Sequence, residues 1–204
     1  LPLVIAAAAA VFAWWMSLAP TPVPASAPPE LFSAERAHKH IAAVCVEPQP
    51  AGSKANDRAC EYIYNELQRL DVESSIETQY DKTGETQVSR RRAVLGRIRG
   101  ANPTRAFAVD AHFDSVAWGP GATDDFGGIA AMLEAARAIK AGPPLMNDVI
   151  FVFADQEEFN MGGAKLFANH PWMADVGVML GLETRGTSGP SSKPGWTCSR
   201  VGTG

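Results

Sequence analysis

The residues best suited to chemistry in this chain are one histidine and seven carboxylates, each in a loop beside an apolar run. They occupy four loops: His112 and Asp114; Asp124 and Asp125; Asp155, Glu157 and Glu158; and Glu183. In open α/β sheets, ligands and catalytic groups collect outside the carboxyl ends of the strands. We therefore expect these four loops to meet at one edge of a sheet.

Each of these carboxylates has a simpler explanation when it is taken alone. A carboxylate before a helix is commonly an N-cap, and a pair of glutamates is commonly an exposed first turn. Capping explains one carboxylate at each helix start, however, and leaves the others to repel one another without a cation. Oxygen and imidazole ligands together suit zinc, manganese or cobalt. The pattern therefore predicts a metal site, and two divalent ions that share a bridging carboxylate would relieve the repulsion.

Alternating helical and strand patterns supply the elements that must hold these loops. Apolar residues at helical spacing predict helices at residues 33–44, 53–70 and 127–140, with Ser33 as the cap of the first. Apolar runs predict strands at residues 72–80, 93–98, 106–111, 149–153 and 176–182. Helices between nearly continuous apolar strands indicate crossover connections. We expect an α/β fold with a mainly parallel or mixed central sheet flanked by helices.

Several segments resemble one family of enzymes. The segments are residues 111–115, 119–125, 148–158 and 182–186, and their specific features are the twelve-residue step from His112 to Asp124 and the Glu157-Glu158 pair after a strand. Over residues 32–190 the chain resembles the aminopeptidase-Y type of co-catalytic zinc peptidases. Glu183-x-Arg-Gly is similar to its membrane-bound members, such as the vacuolar membrane protease and the endoplasmic reticulum metallopeptidase. The resemblance implies a phosphorylase/hydrolase-like zinc exopeptidase fold.

The resemblance also implies a set of metal ligands. His112 and Glu183 would bind one zinc ion, Glu158 would bind a second, and Asp124 would bridge the two. Asp114 would be the partner that fixes the tautomer of His112, as carboxylates commonly do for metal-bound imidazoles.

The same resemblance implies roles for two further residues and a substrate. Glu157 would be the general base, which takes a proton from the water that attacks the scissile carbonyl. Asp125 would flank the bridging carboxylate through an unusual peptide geometry. The substrate would be a peptide, cut at its N-terminal bond.

The C-terminal part departs from the family pattern. The family's remaining ligand is a histidine downstream of the Glu183 position, and the residues after Pro190 contain none. We expect a peptidase domain at residues 32–190, an irregular tail at 191–204, and a fold that is incomplete at its C-terminus and inactive on its own. The alternative hypothesis is a non-catalytic, membrane-tethered domain of the same fold that binds metal or a partner.

The N-terminal segment is apolar and precedes a run of prolines. Residues 1–19 carry no charge, and Trp14 and Trp15 lie near their end, where aromatic rings meet a membrane interface. A signal-anchor and a cleaved signal peptide both fit; a buried helix fits less well, because a proline-rich linker at residues 20–31 follows. We expect a protein that is membrane-anchored or exported, with its peptidase domain on the non-cytoplasmic side.

Composition excludes other classes of function. The chain has 204 residues, a net charge of −4 and no basic stripe, so we expect no nucleic-acid partner. The run Arg90–Arg92 is predicted to be a solvated turn between two strands. Cys45, Cys60 and Cys198 lack the spacing of a cysteine zinc site. Cys45 and Cys60 are expected to be small buried residues, with a disulfide between them as the alternative.

Overall fold

A computed structural model describes residues 2–16, 21–83 and 87–183, together with the backbone of residues 196–200. The helices are α1 Pro2–Met16, α2 Ala34–Val44, α3 Lys54–Arg69, α4 Phe126–Ala141, α5 Glu157–Asn160 and α6 Gly162–Ala168, followed by a 3₁₀ helix, Pro171–Asp175. The strands are β1 Glu73–Thr83, β2 Gln87–Ile98, β3 Ala106–His112, β4 Val149–Ala154, β5 Val176–Leu182 and β6 Trp196–Arg200. All the helices and strands predicted from the apolar patterns are present, most of them with ends that differ by a few residues.

The six strands form one mixed sheet in the order β1-β2-β4-β3-β5-β6. β3 runs parallel to both β4 and β5, whereas β1–β2, β2–β4 and β5–β6 are antiparallel pairs. The expectation of an α/β fold with a parallel or mixed sheet is therefore confirmed in its mixed form. β1 and β2 cannot be parallel neighbours, because their short connection allows a hairpin but no crossover.

Alternation along β4 explains why helices cover both faces of the sheet. All six of its residues are buried. Phe151 and Phe153 belong to the core beneath α3 and α4, whereas Ile150 and Val152 belong to the core beneath α6. Successive strand side chains point to opposite faces, so a strand buried on both sides reads as a continuous apolar run.

Ser33 caps α2 as predicted, and it also fixes the segment before the helix. Its hydroxyl accepts a hydrogen bond from the Arg36 amide at 3.2 Å and donates one to the Val23 carbonyl at 2.8 Å. The Arg36 guanidinium donates to the carbonyl oxygens of Ala25, Ala27 and Leu31. Residues 21–31 of the predicted linker thus contain two turns, closed by hydrogen bonds from the Ala27 and Leu31 N–H groups to the Pro24 and Pro28 carbonyls, and they are hydrogen-bonded to the domain that follows.

Two other parts of the chain differ from their predictions. The run Arg90–Arg92 lies inside β2 and not in a solvated turn, and Arg92 is buried beside Asp155. Residues 196–200 form β6, an antiparallel neighbour of β5, within the segment predicted to be an irregular tail. The pattern of a short edge strand is weak in sequence, since pairing with its neighbour contributes more than periodicity does.

The remaining predictions concern the cysteines and the N-terminus. Cys45 and Cys60 are free thiols, and Cys60 is buried. Burial raises the pKa of Cys60 to about 11, as expected for a thiol that acts as a small apolar residue. Among the described residues, no helix is both long enough and apolar enough to span a membrane. The 15-residue helix α1 has no buried residue.

Candidate metal centre

The predicted site residues meet at the carboxyl ends of the parallel strands. His112 is the last residue of β3, Glu157 begins α5 just beyond β4, and Glu183 follows β5. The loop between β3 and α4 contributes Asp114 and Asp124. Because β3 lies between β4 and β5, its carboxyl end is the centre of this edge.

Three side chains form a cluster with metal-ligand spacing. One ligand atom each from His112, Asp124 and Glu183 lies within 4.8 Å of the other two. The imidazole Nε2 of His112 is 3.3 Å from Asp124 Oδ1. This Nε2 is buried and makes no hydrogen bond among the described residues. A buried nitrogen that faces two carboxylates without a hydrogen bond fits a metal ligand, so the residues present suit a zinc ion.

Asp114 connects the histidine to the glutamate pair. Its carbonyl oxygen lies 3.0 Å from His112 Nδ1, and its carboxylate oxygen Oδ1 lies 3.4 Å from the same nitrogen. A proton on Nδ1 leaves Nε2 with a lone pair that points at the cluster. The two carboxylate oxygens also accept the backbone N–H groups of Glu157 and Glu158, at 3.0 and 3.2 Å. One buried carboxylate thus positions both sides of the site.

Glu157 and Glu158 lie at different distances from the cluster. Glu157 Oε2 is 3.9 Å from His112 Nε2, beside the three ligand atoms. Glu158 is exposed and is not one of the three clustered residues. Burial, together with the charge of Asp124, nevertheless raises the pKa of Glu158 above its ordinary value. Glu158 is therefore close enough to Asp124 to experience its charge, and the geometry leaves its predicted ligand role as a prediction.

Two members of the cluster, His112 and Glu183, have raised pKa values. Burial, and then the carboxylates Asp124, Asp125 and Glu157, raise the pKa of Glu183 to about 7. Burial alone would lower the pKa of His112, but Asp114 outweighs it and the pKa rises to about 9. Carboxylates contribute to both of these increases in pKa because the site concentrates negative charge, which a divalent cation would neutralise.

The loop before α4 is shaped by close contacts. Asp125 is buried and caps α4 by accepting the Gly128 N–H at 3.2 Å, and its peptide bond with Asp124 is cis. Gly121 has a φ of +68°, and a Cβ there would lie 2.8 Å from the Cβ of Ser115. Glycine is therefore required at this turn, which turns the chain back so that Asp124 faces His112.

Asp155 does not join the cluster, although its sequence position groups it with the other carboxylates. It is fully buried, and its carboxylate accepts hydrogen bonds from Arg92 Nε at 3.1 Å and from Asn56 Nδ2 at 3.0 Å. Its backbone N–H donates to the Arg92 carbonyl at 3.1 Å. Asn56 and Arg92 were missed by the sequence analysis, since only the fold brings α3 and β2 to the loop that carries Glu157.

A cleft of about 790 Å³ adjoins the cluster. Asp114 and Glu158 line it on the side of the candidate metal centre, and Val88, Arg90 and Trp118 line it farther away. The volume is within the range of about 300–1,000 Å³ that is common for ligand sites. The fold and this site together define an α/β protein with a candidate site for divalent metal ions at one edge of its sheet.

Comparison with known proteins gives the family. Residues 93–198, more than half of the chain, match Peptidase family M28. The chain belongs to this family, which confirms the resemblance drawn from the motifs.

Individual relatives agree with the family. The chain is 34% identical over 145 residues to the vacuolar membrane protease of Candida albicans, a match that covers 70% of this chain and 17% of the relative. The chain therefore spans about a sixth of the length of that relative.

Solved structures with the same fold are more distant in sequence. A glutaminyl cyclase of Porphyromonas gingivalis has a TM-score of 0.66 at 20% identity, covering 75% of this chain and 59% of that one. A Zn-dependent exopeptidase from Parabacteroides distasonis has a TM-score of 0.59 at 21% identity, covering 69% and 56%. Likeness at these identities establishes the fold alone.

Proposed function

We propose that this chain carries the metal centre of an aminopeptidase that cuts the N-terminal bond of peptides with two zinc ions. The observation that carries the proposal is the buried Nε2 of His112, which faces Asp124 and Glu183 and makes no hydrogen bond in the described residues. His112 and Glu183 would hold one ion, Glu158 the other, and Asp124 both. The donor set of one imidazole and three carboxylates suits zinc.

The residues around the ligands have separate tasks. Bound zinc supplies a water of near-neutral pKa and polarises the scissile carbonyl. Glu157, which lies beside the cluster and is partly exposed, would accept a proton from the attacking water and return it to the leaving amine. Asp114 would hold both the His112 ring and the N–H groups at the start of α5, so that base and ligand keep a fixed separation.

Elemental analysis of the purified protein tests this proposal. We expect up to two zinc ions per chain, and we expect His112→Ala to lower that content. His38→Ala is the matched control, because His38 is exposed on α2 and remote from the strand ends. A folded protein that takes up no zinc after reconstitution would refute the proposal. Full zinc content with no hydrolysis of any aminoacyl substrate, in a longer form of the protein that carries a histidine downstream of Glu183, would favour the non-catalytic, membrane-tethered alternative.

We also propose that the N-terminal segment associates the protein with a membrane and that the peptidase domain lies on the non-cytoplasmic side. Support comes from the uncharged sequence of α1, whose apolar side chains are exposed, and from relatives named as membrane proteases. The protein should remain with membranes through a carbonate wash. Recovery of a soluble form that begins near Ala27 or Pro28 would indicate a cleaved signal peptide instead of an anchor.

A further inference from the structure

The hairpin of β1 and β2 extends past the edge of the sheet at which the candidate metal centre lies. β2 spans Gln87–Ile98, but its pairing with β4 covers only Ala93–Ile98. The last pair is Ala93 with Ala154, at the carboxyl end of β4. Because β2 is antiparallel to β4, residues 87–92 project beyond that end, on the same side as His112 and Glu157.

One edge of this projecting strand is free of a strand partner in the described part of the chain. The Arg92 carbonyl accepts the Asp155 N–H at 3.1 Å, so the polar backbone groups of Arg92 point toward the β4 side. Backbone groups alternate sides along a strand. Those of Arg90 and Val88 therefore point the same way as those of Arg92, whereas Ser89 and Arg91 point toward β1, where their partners are Asp81 and Gln79.

The free edge faces the cleft that reaches the candidate centre. Val88 and Arg90 line the cleft of about 790 Å³ that Asp114 and Glu158 also line. Trp118, which is 87% exposed, lines it as well. A single cleft thus connects unused backbone N–H and C=O groups with the residues proposed to hold zinc.

The side chain of Arg90 is already neutralised. Its guanidinium Nη2 lies 2.5 Å from Asp57 Oδ1, and Arg92 contacts the same carboxylate at 2.8 Å. An ion-paired guanidinium offers little charge for selecting an acidic side chain. The groups that remain available on this wall are those of the backbone, together with apolar surface from Val88, which is 70% exposed.

We propose that the peptide substrate binds as an added strand along the Val88–Arg90 edge of β2, with its scissile end at the candidate metal centre. The inference rests on the proposed function and names its substrate class: peptides in an extended conformation, recognised through the main chain. Strand addition gives affinity through main-chain hydrogen bonds and leaves side-chain selection to the walls of the cleft. The site would therefore accept peptides of varied sequence and would favour those long enough to reach Val88.

Amide hydrogen exchange, followed residue by residue by NMR, tests the added strand. The probe is the peptide Ala-Val-Thr-Val-Thr-amide, added to zinc-free protein so that no cleavage occurs. We expect the amides of Val88 and Arg90 to exchange at least about tenfold more slowly with the peptide bound, because they gain hydrogen-bond partners. Ser89 and Arg91, which face β1, should not change. Binding without this alternation would overturn the proposal.

Two variants separate backbone from side chain. Val88→Pro removes the N–H that faces the cleft, and an edge strand tolerates proline there. We expect it to weaken peptide binding by about fivefold, the effect of one net hydrogen bond of about 1 kcal/mol. Val88→Ala, the matched control, keeps the N–H and should bind within about twofold of the unchanged protein. Equal losses in both variants would assign binding to side-chain packing and contradict strand addition.

The outcomes also separate this inference from the proposed function. A protein that binds zinc and cuts aminoacyl anilides, but shows no alternating protection, would refute the added strand and leave the aminopeptidase standing. Alternating protection in a protein that never binds zinc would support the added strand and refute the metal centre.

Discussion

Carboxylates in two parts of this protein contrast with each other. Asp148 and Glu134 are buried and paired with arginine, whereas the carboxylates proposed as ligands and base at the candidate metal centre are more exposed and have no arginine or lysine partner among the described residues. Asp148 accepts hydrogen bonds from Arg97 Nε at 2.7 Å and from the Gly100 N–H at 2.7 Å. Glu134 lies 2.9 Å from Arg36 Nε and 2.6 Å from Arg137 Nε. Burial would raise the pKa of each carboxyl, but the arginines and backbone N–H groups outweigh it and hold both below their usual range.

Two carboxylates at the candidate metal centre show the opposite shift in pKa. The pKa values of Glu158 and Glu183 are raised, first by burial and then by neighbouring carboxylates. In the described ranges, no lysine or arginine forms an ion pair with Asp124, Glu157, Glu158 or Glu183; His112 is their recorded cationic neighbour. Among the described residues, the fold thus supplies guanidinium groups to Asp148 and Glu134 and none to these four. This difference is what a site for divalent cations requires.

The largest effect should come from replacing the proposed base. The prediction is for a longer form of the protein that carries a histidine downstream of Glu183. There, Glu157→Gln keeps the shape of the side chain but cannot accept a proton. We expect kcat to fall by about 10²–10⁴-fold, the usual contribution of a general base, with KM and zinc content nearly unchanged. Steady-state kinetics and elemental analysis of the same preparation check both parts.

Glu158→Ala is the matched comparison, since it alters the neighbouring residue of the same type. If Glu158 is a ligand, this variant should lose zinc together with activity. Equal loss of zinc in the two variants would contradict the separation of base from ligand, and full zinc content in Glu158→Ala would remove Glu158 from the ligand set.

The next largest effect should be a loss of stability when one of the arginine-paired carboxylates, Asp148 or Glu134, is removed. Asp148→Ala should leave the buried Arg97 guanidinium without its main partner. Breaking such a pair from one side typically costs about 3–5 kcal/mol, and we expect a loss of that size in the free energy of unfolding in urea. Asp175→Ala is the control, because Asp175 contacts the same guanidinium at 2.7 Å while its side chain is 50% exposed. It should cost less than about 1 kcal/mol. Similar costs in the two variants would mean that burial does not separate these partners.

The arginine-paired carboxylates Asp148 and Glu134 also determine how the stability of the fold should change with pH in acid. A carboxyl whose pKa is lower in the folded state stabilises the protein above its unfolded pKa, and this contribution is lost as the pH falls through the folded pKa. Asp148 and Glu134 should therefore destabilise the fold in acid, below about pH 4. Glu158 and Glu183 have raised pKa values, so their ionisation should destabilise the zinc-free fold as the pH rises.

Sequence patterns predicted the fold better than they predicted the pairing of charges. The ends of β5 were predicted correctly, and its apolar run contrasts with the loops on either side of it. The hairpin of β1 and β2 was predicted as two strands, but its projection past β4 depends on register, which local patterns do not contain.

Within the site, the motifs located the clustered residues but misplaced Asp155. Its position after a strand is similar to that of Glu183, and only the three-dimensional contact with Arg92 separates their environments. The run Arg90–Arg92 was missed for the same reason, because partners such as Asp57 lie 33 and 35 residues away in sequence. Contacts of this range are set by the packing of α3 on β2, which no short segment encodes.

A smaller effect should come from removing charge at the candidate centre. In zinc-free protein at pH 8, ionised Glu183 is repelled by its neighbours, so we expect Glu183→Gln to stabilise the fold by about 1 kcal/mol after solvent screening is allowed for. The raised folded pKa, about 7, means that this gain should fade as the pH falls from 8 to 5. Thermal unfolding in chelator at several pH values measures it. With zinc present, the same variant should be destabilised relative to the unchanged protein.

The decisive result is the change of sign: Glu183→Gln should stabilise the zinc-free protein and destabilise the zinc-bound protein. Destabilisation by Glu183→Gln in chelator, at every pH, would show that the carboxylate has a protein partner. It would then belong with the arginine-paired group, and the contrast between the two groups would fail.

The smallest effect is expected from an exposed ion pair, which tests whether an arginine partner stabilises a carboxylate when neither side chain is buried. Arg99 and Glu73 form a two-pronged pair, with Nε and Nη2 donating to the carboxylate at 2.9 and 3.1 Å, much like the buried pairs in distance. The two side chains are 57% and 49% exposed, however, so water solvates them whether or not they pair. We expect Glu73→Gln to change the free energy of unfolding by less than about 1 kcal/mol, and by less still in 0.5 M salt, since exposed ion pairs are screened. Urea titrations of Glu73→Gln and Asp148→Ala, at low and high salt, compare the two losses in the free energy of unfolding.

A loss for Glu73→Gln as large as that for Asp148→Ala would show that the guanidinium partner alone stabilises these carboxylates. Burial would then have no part in dividing them, and the absence of arginine partners at the metal centre would be the whole of the difference.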